Sequence, residues 1–170
     1  RVGRRISSRL GPLRLKDVPG GKKGLRSHIR AKLEELHAAM GPQPDRLFLV
    51  GGSWRASARI DMERRDYPLA VLHEYRMSRK SVMETVDYIA DANLDDLRTR
   101  TGLGEARMAL VPLASQVLVQ LVRTFRPRDI AVSSYGIREG MLFEQMPAPL
   151  RARDPLIAAC RYSEAKAARL

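Results

Sequence analysis

The sequence predicts an α/β layer fold with a mostly parallel sheet. Two short apolar runs, residues 47–50 and 130–133, each stop at a glycine turn that opens a helical pattern. Between them lie helical stripes long enough to cross back over a sheet, so the order strand, helix, helical insert, helix, strand suits parallel pairing. The 170 residues suffice for one domain with a real core.

Taken in order, Val2, Ile6 and Leu10 among arginines suit an edge strand with charged gatekeepers over residues 1–10. Gly11-Pro12 turns the chain. Leu25, Ile29, Leu33, Leu36 and Met40 recur at helical spacing, and Gly41-Pro42 ends that helix. Leu47-Phe48-Leu49-Val50 reads as a buried parallel strand. The helix after Gly51-Gly52 closes near Asp66. Residues 69–77 read as a short strand or connector. Ser78 is placed to cap a helix carrying Val82, Val86 and Ile89, and Asn93 or Asp91 to cap the next. Leu110, Leu113, Val117, Leu118, Leu121 and Phe125 form the strongest apolar stripe, with Pro112 tolerated in its first turn. After the strand at 130–133, residues 134–140 open another helix. Asp154-Pro155 is an N-cap and N1 pair for a last helix from Leu156 to about Arg169. The expected division is a core over 1–150, with a helical insert at about 78–104, and a C-terminal helix over 151–170.

The net charge of +12 is uneven: residues 1–32 hold eleven Lys/Arg against Asp17 alone. Such a block attracts polyanions, although it also suits a solvated face. The single cysteine, Cys160, excludes an internal disulfide and points to a reducing, cytoplasmic setting. No apolar run is expected to reach the roughly 20 residues of a membrane helix, so no membrane partner is expected. The arginine-rich start lacks both an apolar signal core and an initiator Met, and the chain reads as a piece of something longer.

The candidate chemistry is anion binding. Backbone N–H groups at a helix start point outward, and a glycine turn lets a ligand approach them. Ser53 is expected to cap this helix, and Arg55 adds a guanidinium one turn in. The same residues suit an ordinary strand-to-helix turn. His28, His37 and His73 lack metal spacing, and Asp91, Asp95 and Asp96 are read as capping and solvated acids. Glu139 is either an acid–base candidate or an acid favoured by a helix N-terminus.

The stretches VGGSWRASARIDM (50–62), YPLAVLHEYRM (67–77), SSYGIREGMLFEQM (133–146) and RARDPLIAACR (151–161) together resemble the exopolyphosphatase and guanosine pentaphosphate phosphatase family. The most specific piece is SxxGxREGxL, Ser133 to Leu142. The resemblance implies a ribonuclease H-like, actin-like ATPase domain: the greater part of a second domain, lacking its opening hairpin. It implies a phosphohydrolase that removes the terminal phosphate of inorganic polyphosphate or of pppGpp with Mg2+ and an activated water. Gly51, Gly52, Ser53 and Arg55 would line one wall of the cleft, and Gly136, Arg138 and Glu139 would shape the neighbouring turn. The catalytic base and the metal ligands are expected in a missing N-terminal catalytic domain of the same protein, which leaves the isolated chain inactive. A homodimer is a further expectation. Two rivals remain: a basic nucleic-acid-binding α/β module, weakened by the lack of stacking aromatics in the basic block, and a non-catalytic regulatory domain derived from the family.

Overall fold

The computed structural model describes residues 5–41, 45–154, 157, 158 and 161. Contacts divide the chain into two units, Arg1–Ser134 and Tyr135–Leu170.

The first unit is built on a three-stranded sheet: β1 (Arg46–Val50), β2 (Tyr75–Met77) and β3 (Asp129–Ser133), in the order β1-β3-β2. β1 and β3 run parallel and in step, from Arg46 opposite Asp129 to Val50 opposite Ser133. β2 is antiparallel to β3, with Tyr75 opposite Val132 and Met77 opposite Ile130. The sheet is therefore small and mixed rather than mostly parallel. The antiparallel strand is only the last three residues of the 69–77 stretch, too short to reveal its direction in sequence.

Side-chain alternation splits the sheet into two faces. Leu49, Ile130, Val132, Tyr75 and Met77 form the packed face, together with Ala58 and Met62 of α3 (Gly52–Arg64), Val82 of α4 (Arg79–Asp91) and Leu118 and Val122 of α7 (Val111–Phe125). The opposite face carries charge. Arg46 pairs with Asp129 at 2.7 Å, Arg76 approaches the same carboxylate at 3.6 Å, and Arg46 lies over the Phe48 ring. Phe48 and Val50 are about half exposed. This corrects the buried-strand expectation for β1. Among the described residues β1 pairs only with β3, so it is an edge strand with one covered face.

A second apolar cluster joins α3 to α5 (Leu94–Thr101) and α6 (Glu105–Met108) through Ala56, Ile60, Leu97 and Met108. A third packs α2 (Gly21–Met40) on α7 through Ile29, Leu33 and Val117, closed by Leu10 and by Leu15 of α1 (Pro12–Leu15). α7 contributes to all three clusters, as its apolar stripe requires. Glu105–Phe125 is long and apolar enough to cross a membrane by length and composition, which corrects the expectation that no such run exists.

Several local expectations hold. Ser78 Oγ accepts from Ser81 N–H, and Asn93 Oδ1 accepts from Asp95 and Asp96 N–H. Pro112 sits in the first turn of α7. The strand expected over 1–10 does not form in residues 5–10, and residues 1–4 lie outside the described residues. His73 precedes β2 in a turn instead of lying in a strand.

In the second unit, α8 (Ile137–Gln145) and α9 (Ala148–Arg151) follow one another. Asp154 Oδ1 accepts from Ile157 N–H at 3.1 Å, as a cap would. Of the expected last helix, Ile157, Ala158 and Arg161 are described and helical, whereas Pro155, Leu156, Cys160 and its remaining residues lie outside the described residues.

Candidate anion pocket at the carboxyl ends of the parallel strands

Because β1 and β3 are parallel neighbours, their carboxyl ends lie side by side. α3 starts directly after β1. Gly51 is its N-cap with φ +130° and ψ 168°, a conformation open essentially to glycine alone. No side chain among the described residues caps the helix. Ser53, expected as the cap, lies inside the first turn, where its carbonyl accepts from Ser57 Oγ at 3.2 Å. The difference is one of turn geometry: Gly51, not Ser53, makes the reversal.

Arg55 Nη1 donates to the carbonyl of Ser134, at the end of β3, at 3.3 Å. Its Nε is buried without a partner. Thus Arg55 bridges the ends of the two strands while keeping unused donor capacity. His73 Nδ1 accepts from Ser134 N–H at 3.4 Å, which fixes the same turn from the side of β2.

Next to this turn lies a cavity of about 770 Å3, lined by Gly52, Ser53, Arg55, Ala56, Arg59, Leu72, residues 102–107 and Leu110. The Arg107 guanidinium, from α6, lies against Gly52. A Cβ at Gly52 would meet Arg107 Cζ at 3.4 Å and Nη2 at 3.5 Å. Arg59 follows Arg55 by one helical turn and lines the same space. Among the described residues, Glu105 is the single acid in the lining. The first turn of α3 also holds no acid. Three guanidinium groups and the positive end of a helix dipole thus face one cavity, an arrangement suited to phosphate-like anions.

Arg59 and Arg107 were not singled out from sequence. The spacing Arg55–Arg59 is a usable helical signal. Nothing local marks Arg107, which reaches the turn from a distant helix.

Gly136, Arg138 and Glu139 belong to the second unit. The Glu139 carboxylate accepts from Gly136 N–H at 2.6 Å, closing the start of α8. Arg138 is exposed. Among the described residues, no group of three His, Cys, Asp or Glu is placed to hold a metal ion. An arginine-lined cavity with one acid does not fit Mg2+.

A separate polar cluster anchors the other half of α3. Asp61 is fully buried. Its carboxylate accepts from Tyr75 Oη at 2.6 Å, Ser81 Oγ at 2.7 Å, Thr85 Oγ1 at 2.5 Å and Arg64 Nη2 at 3.0 Å, with Arg65 Nη1 at 3.5 Å. Burial pushes its pKa up, but the hydrogen bonds from Thr85, Tyr75, Ser81 and Arg64 outweigh this and hold it below the usual carboxylate range. Tyr75 is raised above the usual phenol range by burial and by the bond to the Asp61 carboxylate. The cluster ties α3, α4 and β2 together and so fixes where the start of α3 points.

Fold and pocket together define an α/β domain with an arginine-lined pocket at the carboxyl ends of parallel strands. The chain belongs to the Ppx/GppA phosphatase family, whose sequence profile matches residues 1–148. Among solved structures it is similar to the type II variant of the Aquifex aeolicus Ppx/GppA phosphatase. That match has 18% identity and a TM-score of 0.64, and covers 84% of this chain and 49% of that one. It is also similar to an exopolyphosphatase from Cytophaga hutchinsonii, with 18% identity, a TM-score of 0.62, and coverage of 78% of this chain and 46% of that one. These likenesses establish the shared fold, and the chain spans about half the length of the solved relatives. No curated protein sequence matches it.

Proposed function

We propose that this chain supplies the substrate-phosphate wall of a phosphohydrolase that removes the terminal phosphate of inorganic polyphosphate or of pppGpp. The domain would be of the actin-like ATPase type and would work with a catalytic domain supplied by the rest of the protein. The observation that carries the reading is the Arg107 guanidinium lying against Gly52, with Arg55 and Arg59 in the same cavity. Family membership and the exopolyphosphatase among the solved relatives support it.

In this reading the open N–H groups at the start of α3 and the three guanidiniums bind and orient the phosphoanhydride. They neutralise charge that would otherwise repel a nucleophile and that grows on the departing oxygen. Arg55, braced on the Ser134 carbonyl, is the fixed element. Arg107 comes from a separate short helix and can adjust to the chain it holds. Gly136, Arg138 and Glu139 enter through the family motif alone: Glu139 holds the turn at Gly136, and Arg138 offers a further cation. Nothing in the pocket fits a metal ligand set, so no step is assigned here to Mg2+, and no base is assigned within this chain.

The test is phosphate release from polyphosphate and from pppGpp by the complete protein and its Arg107→Ala form. Loss of one charge-assisted contact costs about 1.5–3 kcal/mol, so the Michaelis constant should rise roughly ten- to a hundredfold. Unchanged kinetics would remove the cavity from the site. Absence of release by the unaltered protein would refute the activity, and tight salt-sensitive duplex DNA binding would promote the nucleic-acid module.

A further inference from the structure

α7 is 15 residues long, about 22 Å. The Arg107 cavity includes Leu110, just before its first residue. Beside its last turn lies a second groove of about 420 Å3, lined by Arg79, Lys80, Met83, Val122, Arg123 and Arg126. This lining holds four cations and, among the described residues, no acid. Lys80 reaches Glu84 at 3.7 Å, but that carboxylate already pairs with Arg64 at 3.2 Å. The guanidiniums of Arg79, Arg123 and Arg126 are exposed and make no ion pair or hydrogen bond among the described residues.

Two of these placements break local rules. Arg79 and Lys80 occupy the first turn of α4, which holds no acid, although the positive end of a helix dipole disfavours cations. Arg126 ends α7 at φ +46°, a left-handed position where glycine or asparagine is usual. Local conflicts of this kind with no local gain are expected where a surface is kept for function. Both converge on one groove, from helices separated in sequence.

We propose that this groove is a distal holding site for the inner phosphates of linear inorganic polyphosphate. It rests on the substrate class proposed above. The closely spaced charges of such a chain match a groove lined by three guanidiniums and one ammonium. The floor of Met83 and Val122 offers no aromatic face on which a nucleobase could stack. A long chain would engage this groove while its end occupies the Arg107 cavity. A short chain, or pppGpp, would engage the cavity alone. The groove therefore sets chain-length preference and does not touch the reacting bond.

The experiment compares the complete protein with its Arg79→Gln/Arg123→Gln/Arg126→Gly form. Circular dichroism melting checks the fold, which should hold because all three side chains are exposed and Gly relieves the left-handed position. The Michaelis constant for long-chain polyphosphate should rise about tenfold, and the difference should fade as salt is raised. The constant for tetrapolyphosphate and both turnover numbers should stay unchanged. Equal effects on long and short chains, or none, would overturn the proposal. Equilibrium binding of labelled long-chain polyphosphate separates this from the activity itself. If the unaltered protein releases no phosphate yet binds the polymer, and the triple variant does not, the groove stands and the activity falls. Duplex DNA competing as well as polyphosphate for the groove would overturn the choice of ligand.

Discussion

Replacing Asp61 by asparagine tests how the candidate pocket is held in place. The change keeps size and shape but removes the negative charge at the centre of five donors. Ser81 and Thr85 can still donate to the amide oxygen. The amide NH2 replaces the oxygen that faces Tyr75 and Arg65, and Tyr75 Oη must turn from donor to acceptor. Arg64 keeps Glu84 as a partner, whereas Arg65 loses its only carboxylate among the described residues. Two or three charge-assisted bonds thus become neutral or are lost, at about 1 kcal/mol each, for a total of about 2–3 kcal/mol. The pH dependence is a second signature. A carboxylate held below its usual value contributes stability that is fully present above the unfolded pKa of about 4 and is lost as pH falls through the folded value. Tyr75 is raised, so its contribution is present below the usual phenol value of about 10 and is lost as pH rises through the folded value. Urea unfolding across a range of roughly pH 3 to pH 8 spans the carboxylate window. It would show the wild-type curve falling on acidification and the Asp61→Asn curve staying flatter. Equal stability at neutral pH, or parallel acid curves, would refute the reasoning.

Three further outcomes follow from the same structure. Gly51→Ala should cost about 1–3 kcal/mol, because Gly51 holds φ +130°, whereas Gly52→Ala should cost less, since its Cβ meets only the movable end of Arg107; thermal melts of both variants compare them. Ser78→Ala removes the cap bond to Ser81 and should cost about 1 kcal/mol by urea unfolding. Leu118→Ala empties a site 1% exposed at the centre of the packed sheet face and should cost about 2–5 kcal/mol, and a smaller loss would mean that α7 collapses into the space.

Much of this molecule was legible in its sequence. The apolar stripe of α7, the caps Ser78 and Asn93, the glycine end of α2 and the run from β1 through Gly51 into α3 all depend on neighbours a few residues apart. Backbone propensity and helical period act over that range, so one-dimensional pattern suffices to place them. The parallel direction of β1 and β3 also followed from the helical crossover between them, whereas their being neighbours came from the structure.

Other features were decided only by packing. The antiparallel return of β2 and the open face of β1 depend on which edges are covered, and alternation in a five-residue strand cannot state that. Arg107 meets Gly52, and Asp61 meets Tyr75, Ser81 and Thr85, only once α3, α4, α6 and β2 have closed around α7. The same holds for Arg79, Arg123 and Arg126, which line one groove. Charged residues carry no period that names a distant partner. An exposed arginine and one poised over a cavity look alike along the chain, and the tertiary fold alone brings their charges within reach of one another.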